Sequence, residues 1–239
     1  MDAALNFADS GFYRIGGACA IAGALLAIVV NALHPDLPVP VREAHALIAS
    51  RNDWRPLHFL IIAAAMLLSY GLAAFGVSCA NARSMGWEQF GVLTTVVAAA
   101  VVAVAIGIDG FVEKALSDAW ASAPPTQKSQ YLVAATPVQL IHVGLFYVWS
   151  CLYWGVPFVF YGLAILCGRA YAAWFGWIAV TVGGLLTLAA IAQYIAPHDT
   201  VEVALRVLLL VLSLWVVIAG AFLWNKQKSA ERLHSKTSA

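Results

Sequence analysis

Residues 89–110 read QFGVLTTVVAAAVVAVAIGIDG, and this stretch decides the fold. A helix needs about 20 mainly apolar residues to cross the hydrocarbon of a bilayer. Positions 90–108 supply that length without one charged side chain. The apolar residues do not alternate over 96–106, whereas a strand of a membrane barrel must alternate. Lipid offers the backbone no hydrogen-bond partner, so the segment has to be a helix that satisfies its own N–H and C=O groups. Five further segments have the same character. The spans are read as roughly 12–33, 57–79, 89–110, 139–167, 173–195 and 204–224.

Composition agrees with this reading. Of 239 residues, 62% are hydrophobic and only 10% are charged, against about 25% charged in a soluble domain. So little charge cannot cover a surface in water, and the lipid bilayer is the expected solvent. Net charge is +1. No basic stripe, zinc-finger spacing or Gly-rich phosphate loop is present, so nucleic acid is not an expected partner. Cys19, Cys79, Cys151 and Cys167 form no CxxC pair. They read as small buried hydrophobes and not as a disulfide framework. Asp2 and Asp9 stand where a cleavable signal would carry basic residues, so the first apolar run is expected to be a retained span.

The expected architecture is therefore an all-α, polytopic six-transmembrane-helix bundle over residues 1–225. A polar, basic tail over 226–239 is expected to be disordered or to rest on lipid headgroups. An even number of spans puts both termini on one side. That side carries Arg14, Arg83, Arg169, Lys226, Lys228, Arg232 and Lys236, in shorter segments than those holding the opposite side's basic residues. The positive-inside rule then places the N- and C-termini in the cytoplasm of a bacterial-type cell, with the chain multi-pass in its inner membrane.

Several local features carry expectations. Gly16, Ala20 and Gly23 share one face of the first span, with Gly17 beside it, a pattern that suits close helix packing. Pro157 in the overlong fourth span predicts a tilt or kink. Trp54, Trp87, Trp174 and Trp224 lie near span ends, where an aromatic belt belongs. Residues 41–50 predict a short interfacial helix starting near Pro40. Residues 112–121 predict another, broken by Pro124 and Pro125.

Polar chemistry is unequally divided between the two membrane faces. His34, His45, His58, His142 and His198 all fall on the side opposite the termini, as do eight of the twelve carboxylates. Asp109 and Glu113 are four residues apart and share a helix face. His58 opens the second span and His142 the fourth, so their imidazoles lie at similar depth. His34 and His198 close the first and fifth spans at that level and form a rim, while His45 reads as a solvated loop residue.

Four readings of this layer stay open. The side chains suit a role as interfacial anchors to water and headgroups. His58, His142, Asp109 and Glu113 carry the donor atoms for zinc, iron or manganese. His58 and His142 have the ligation chemistry for a bis-His haem. Imidazoles and carboxylates in a bundle also suit proton-coupled binding or transport of a small or lipidic molecule. No GxSxG or HExxH motif appears, and no catalytic residue is assigned. The Asp109–Glu113 pair has the groups for acid and base if burial separates their pKa values.

The opening FYRIGGACAIAGALL (12–26) resembles the aromatic-x-R-x-x-G start of an uncharacterised group of bacterial six-helix membrane proteins. The stretch HVGLFYVWSCLYWGVPFVFYGLAILCGRAYAAWFGWIAVTVGG (142–184) is similar to that group's fourth and fifth helices. The resemblance implies fold and membrane location, picks out His142 and Arg169, and implies no activity. The preferred expectation is an outer-facing pocket that binds a divalent metal ion or small ligand through His58, His142, Asp109 and Glu113, with His34 and His198 at its rim. The rival is an accessory or scaffolding subunit that packs against a membrane-protein partner and has no site of its own.

Overall fold

The face of small residues on the first span is where the helices approach most closely. In the computed structural model, a Cβ added at Gly23 would lie 2.7 Å from the backbone nitrogen of Leu68, and one at Gly71 would lie 2.6 Å from the backbone of Ala20. Gly17 faces another way, where a Cβ would lie 2.7 Å from the carbonyl oxygen of Gly220. Without a hydrophobic force between helices in lipid, such backbone-to-backbone packing is what holds them together. The first helix is thereby wedged between the second and sixth spans.

The structure describes the backbone of residues 11–38 and 40–237, and side chains as far as residue 226. Its helices are α1 (Phe12–Leu33), α2 (Val41–Ser50), α3 (Trp54–Cys79), α4 (Met85–Gly107), α5 (Lys114–Ser122), α6 (Lys128–Trp149), α7 (Val156–Gly168), α8 (Ala173–Ile195) and α9 (Asp199–Thr237). Short π-helical stretches, Ile108–Glu113 and Ser150–Gly155, join α4 to α5 and α6 to α7. Six helical stretches are long and apolar enough to cross a membrane. Among the described residues there is no strand, and the fold is the expected all-α six-helix bundle. Helix α9 runs on to Thr237, through residues where a disordered tail was expected, and side chains beyond residue 226 lie outside the described residues.

The centre of the bundle is aromatic. Phe175 stacks on Trp215 with centroids 4.3 Å apart, and Phe75, Phe158 and Tyr161 are fully buried around them. The polar atoms of these rings find partners. Trp215 Nε1 donates to the Phe175 carbonyl at 2.9 Å, and the Tyr153 hydroxyl donates to the Ala65 carbonyl at 2.6 Å. Both bonds spare the interior an unsatisfied donor.

Two spans run further than expected. The expected helix over 112–121 is present, but it follows α4 directly through the π-helical stretch, giving one helical path over Met85–Ser122. Helix α2 supplies the reason by packing along α5. Lys114 Nζ donates to the Ala49 carbonyl at 3.1 Å and to Asp118 at 2.6 Å, so protein covers α5 and it need not lie along the membrane surface. The fourth span begins at Lys128, whose ammonium sits 4.6 Å from the Trp120 ring centroid. Pro157 has no N–H and its ring crowds the carbonyl four residues back; the widened turn Ser150–Gly155 lies just before it. Helix α7 then ends at Arg169 with φ 55°, a left-handed cap position that glycine usually fills.

Candidate metal centre

The C-terminal cap of α1, the start of α3, the π-helical stretch after α4 and the middle of α6 bring polar side chains together on the membrane face opposite the termini. His58 lies one turn into α3, with its Nδ1 2.7 Å from the carbonyl oxygen of Trp54. A carbonyl oxygen can only accept, so Nδ1 carries the proton. His34 caps α1 in the same manner, its Nδ1–H donating to the Pro35 carbonyl at 3.0 Å. Each imidazole therefore spends its proton on the backbone and aims Nε2 inward. The two Nε2 atoms are 3.3 Å apart. Burial pushes the His34 imidazole below its ordinary pKa, against the opposing pull of the Asp109 carboxylate, so the ring favours its neutral form.

Asp109 completes the set. Its Oδ2 lies 2.9 Å from His58 Nε2, 3.3 Å from His142 Nε2 and 3.9 Å from His34 Nε2. With both rings neutral, two bare ring nitrogens and a carboxylate oxygen present lone pairs to one another, a cluster that repels itself unless a cation or a proton lies between. In a tetrahedral zinc site with bonds of about 2.0–2.1 Å, ligand atoms stand about 3.3 Å apart. The distances among His34, His58 and Asp109 bracket that value. Asp109 and His58 are each only 2% exposed, and taking a lone carboxylate out of water is costly by several kcal/mol.

Glu113 lies beside this cluster. It is 1% exposed, its Oε1 is 3.4 Å from His142 Nδ1, and neither of its oxygens has a hydrogen-bond partner. Asp109 Oδ1 and His142 Nδ1 likewise have none. The π-helical turn Ile108–Glu113 carries both carboxylates, and widened turns of this kind recur at functional sites. Lys114 does not neutralise them, because its ammonium is bound to Ala49 and Asp118.

The walls of the site are specific. Trp54 is fully buried and its ring packs on His58 and His34, with centroids 4.6 and 5.1 Å away. Its Nε1 donates to the Asp109 carbonyl at 3.1 Å. A Cβ at Gly110 would collide with the Cβ of His58 and lie 2.9 Å from its Cγ. A small apolar cavity lined by Asn31, Ala64, Ala65, Val102, Trp149 and Tyr153 lies deeper on the same helices.

Sequence and structure agree on part of this set. The structure brings His58, His142, Asp109 and Glu113 together, as expected. His34 belongs inside the cluster and not at its rim. His198 does not join it: the residue is exposed, its N–H donates to Gln193 and its Nδ1 accepts from the Thr200 N–H. His45 is corrected from solvated to buried, at 1% exposure. Its Nδ1 lies 2.6 Å from Ser117 Oγ, and that hydroxyl donates to the Glu113 carbonyl, so His45 is the donor to Ser117. Helix α2 folding onto α5 removes His45 from solvent. Trp54 is a wall of the site, not a belt residue. Gly110 and Ser117 escaped sequence reading, although a glycine between two carboxylates in DGFVE was a visible signal.

The haem expectation meets an obstacle. Asp109 Oδ2 sits against the Nε2 atoms of both His58 and His142, in the space a porphyrin iron would need between them. Comparison with family models, with curated proteins and with solved structures finds no match to the chain.

Proposed function

We propose that this chain is a multi-pass membrane protein that binds a divalent first-row cation, of the zinc class, through His34, His58 and Asp109 at the mouth opposite its termini. The observation that carries this reading is the locking of two imidazoles. Both donate Nδ1–H to a backbone carbonyl and turn bare Nε2 atoms toward one carboxylate. Metal-ligating histidines habitually make this outer hydrogen bond, which fixes the tautomer and the ring. Imidazole with carboxylate suits zinc, iron or manganese and disfavours calcium and magnesium. Three protein ligands leave one position for water or a substrate oxygen, and a cation there lowers the pKa of the water it holds.

The basic residues of the shorter terminal-side segments support cytoplasmic termini in a bacterial-type inner membrane, with the site facing outward. A second reading rests on the short His58–Asp109 contact of 2.9 Å. A protonated His58 would make it a charge-assisted ion pair without any metal. Elemental analysis of protein purified in detergent, with and without added zinc, separates the two. Bound metal that is lost in His34→Ala and His58→Ala supports the site. Protein that binds no metal at any concentration tested sinks it, and a His58→Ala variant that then melts at lower temperature leaves the ion pair.

A further inference from the structure

One cation at His34, His58 and Asp109 leaves half of the cluster unexplained. Neither oxygen of the 1% exposed Glu113 is hydrogen-bonded, although Oε1 stands 3.4 Å from His142 Nδ1, and Asp109 Oδ1 also has no hydrogen bond. A buried carboxylate with no hydrogen-bond donor is among the costliest arrangements a protein can hold. Something positive or protic has to face it, either a protonated His142, whose Nδ1 stands 3.4 Å from Oε1, or a cation. Lys114, the next residue along, is bound elsewhere. His45 has turned its one N–H to Ser117.

The ligand atoms fall into two triads. Those of His34, His58 and Asp109 lie within 4.8 Å of one another, and so do those of Asp109, Glu113 and His142. At that distance the two triads meet only at Asp109. A single first-row cation with bonds of about 2.0–2.2 Å spans at most about 4.4 Å between opposite ligands, too little to gather both triads. Asp109 has two oxygens and can serve one cation with each.

We infer that the site is binuclear: a second divalent cation binds Asp109, Glu113 and His142, and Asp109 bridges the pair. This rests on the single-cation reading above and extends it to the other face of the same carboxylate. Two carboxylates do not neutralise two divalent cations. The excess positive charge fits an oxygen anion shared between them, either hydroxide or an oxygen of an anionic ligand such as a phosphate or carboxylate ester. Cation pairs of this kind stand about 3.5–4 Å apart. The class of ligand is therefore oxygen-bearing and anionic, approached from the face opposite the termini.

The test counts metal on the full-length chain in detergent. Protein stripped with chelator is titrated with zinc, freed of excess by gel filtration and analysed for metal per chain. The expected result is two per chain, falling to one in Glu113→Gln and in His142→Ala. The same protein loaded with manganese should give the spin-coupled resonance spectrum of a close ion pair. That measurement needs no variant and stands even if Glu113→Gln fails to fold. One zinc per chain at saturation, with the six-line spectrum of isolated manganese, overturns the second site and leaves the first. No metal at all overturns both.

Discussion

Gly110 is the surface on which His58 rests. A Cβ at that position would collide with the histidine's own Cβ, so the π-helical turn and the start of α3 can meet only where one partner has no side chain. The contact fixes the distance between Asp109, one residue earlier, and the imidazole that faces it at 2.9 Å.

Gly110→Ala should therefore damage the site more than the fold. Overpacking of a filled interior costs about 1–3 kcal/mol, and here the displaced group is a metal ligand. Thermal unfolding should shift downward and zinc affinity should fall, as measured by denaturation and competition titration. Gly107→Ala is the control, since nothing lies within 4 Å of a Cβ there. If both substitutions behave alike, the contact has no special role.

Loss of a ligand should exceed loss of its support. Trp54→Phe keeps an aromatic ring but removes the donor to the Asp109 carbonyl. Changes in such outer partners cost about 10–100-fold in metal affinity. His58→Ala removes a ligand outright and should cost more than that. Equal affinities in the two variants would argue against His58 as a ligand.

The stability that neutral His34 contributes to the metal-free protein should be lost in mild acid. Burial holds the folded-state pKa of His34 below its ordinary value of 6.5, so the unfolded chain takes up the proton first. The contribution of neutral His34 is thus fully present above about pH 6.5 and declines as pH falls through the folded value. Chelator-treated wild-type protein should lose melting temperature relative to His34→Gln as pH drops from about 7.5 to about 5.5. His34→Gln should flatten that slope, and a slope left unchanged would contradict the assignment. Zinc should shift the whole profile upward at neutral pH and less in acid, because protons and metal compete for the same Nε2 atoms.

Ser117 relays between His45 and the Glu113 carbonyl. Ser117→Ala would leave the buried His45 N–H without an acceptor, at a cost of about 1–3 kcal/mol. Removing both partners together, in Ser117→Ala with His45→Leu, should recover much of that loss. Denaturation midpoints of the single and double variants decide it. A double variant no better than Ser117→Ala would mean that His45 contributes by packing alone.

The amino-acid sequence determined the solvent, the number of crossings and the level in the membrane at which each titratable group lies. Hydropathy measures depth along a helix, and charge is so scarce here that every ionisable residue near a span end can be placed. That is why His58, His142, Asp109 and Glu113 were legible as one layer. Direction around the helix axis was not legible, because packing sets it. Only the tertiary structure turned His34 into the cluster and His198 away from it, folded α2 and its His45 onto α5, and drew Trp54 from a belt position into the wall. The same holds for the π-helical turn at Ile108–Glu113. It places two carboxylates against three imidazoles through contacts between helices far apart in the chain, and no local pattern of residues encodes such contacts.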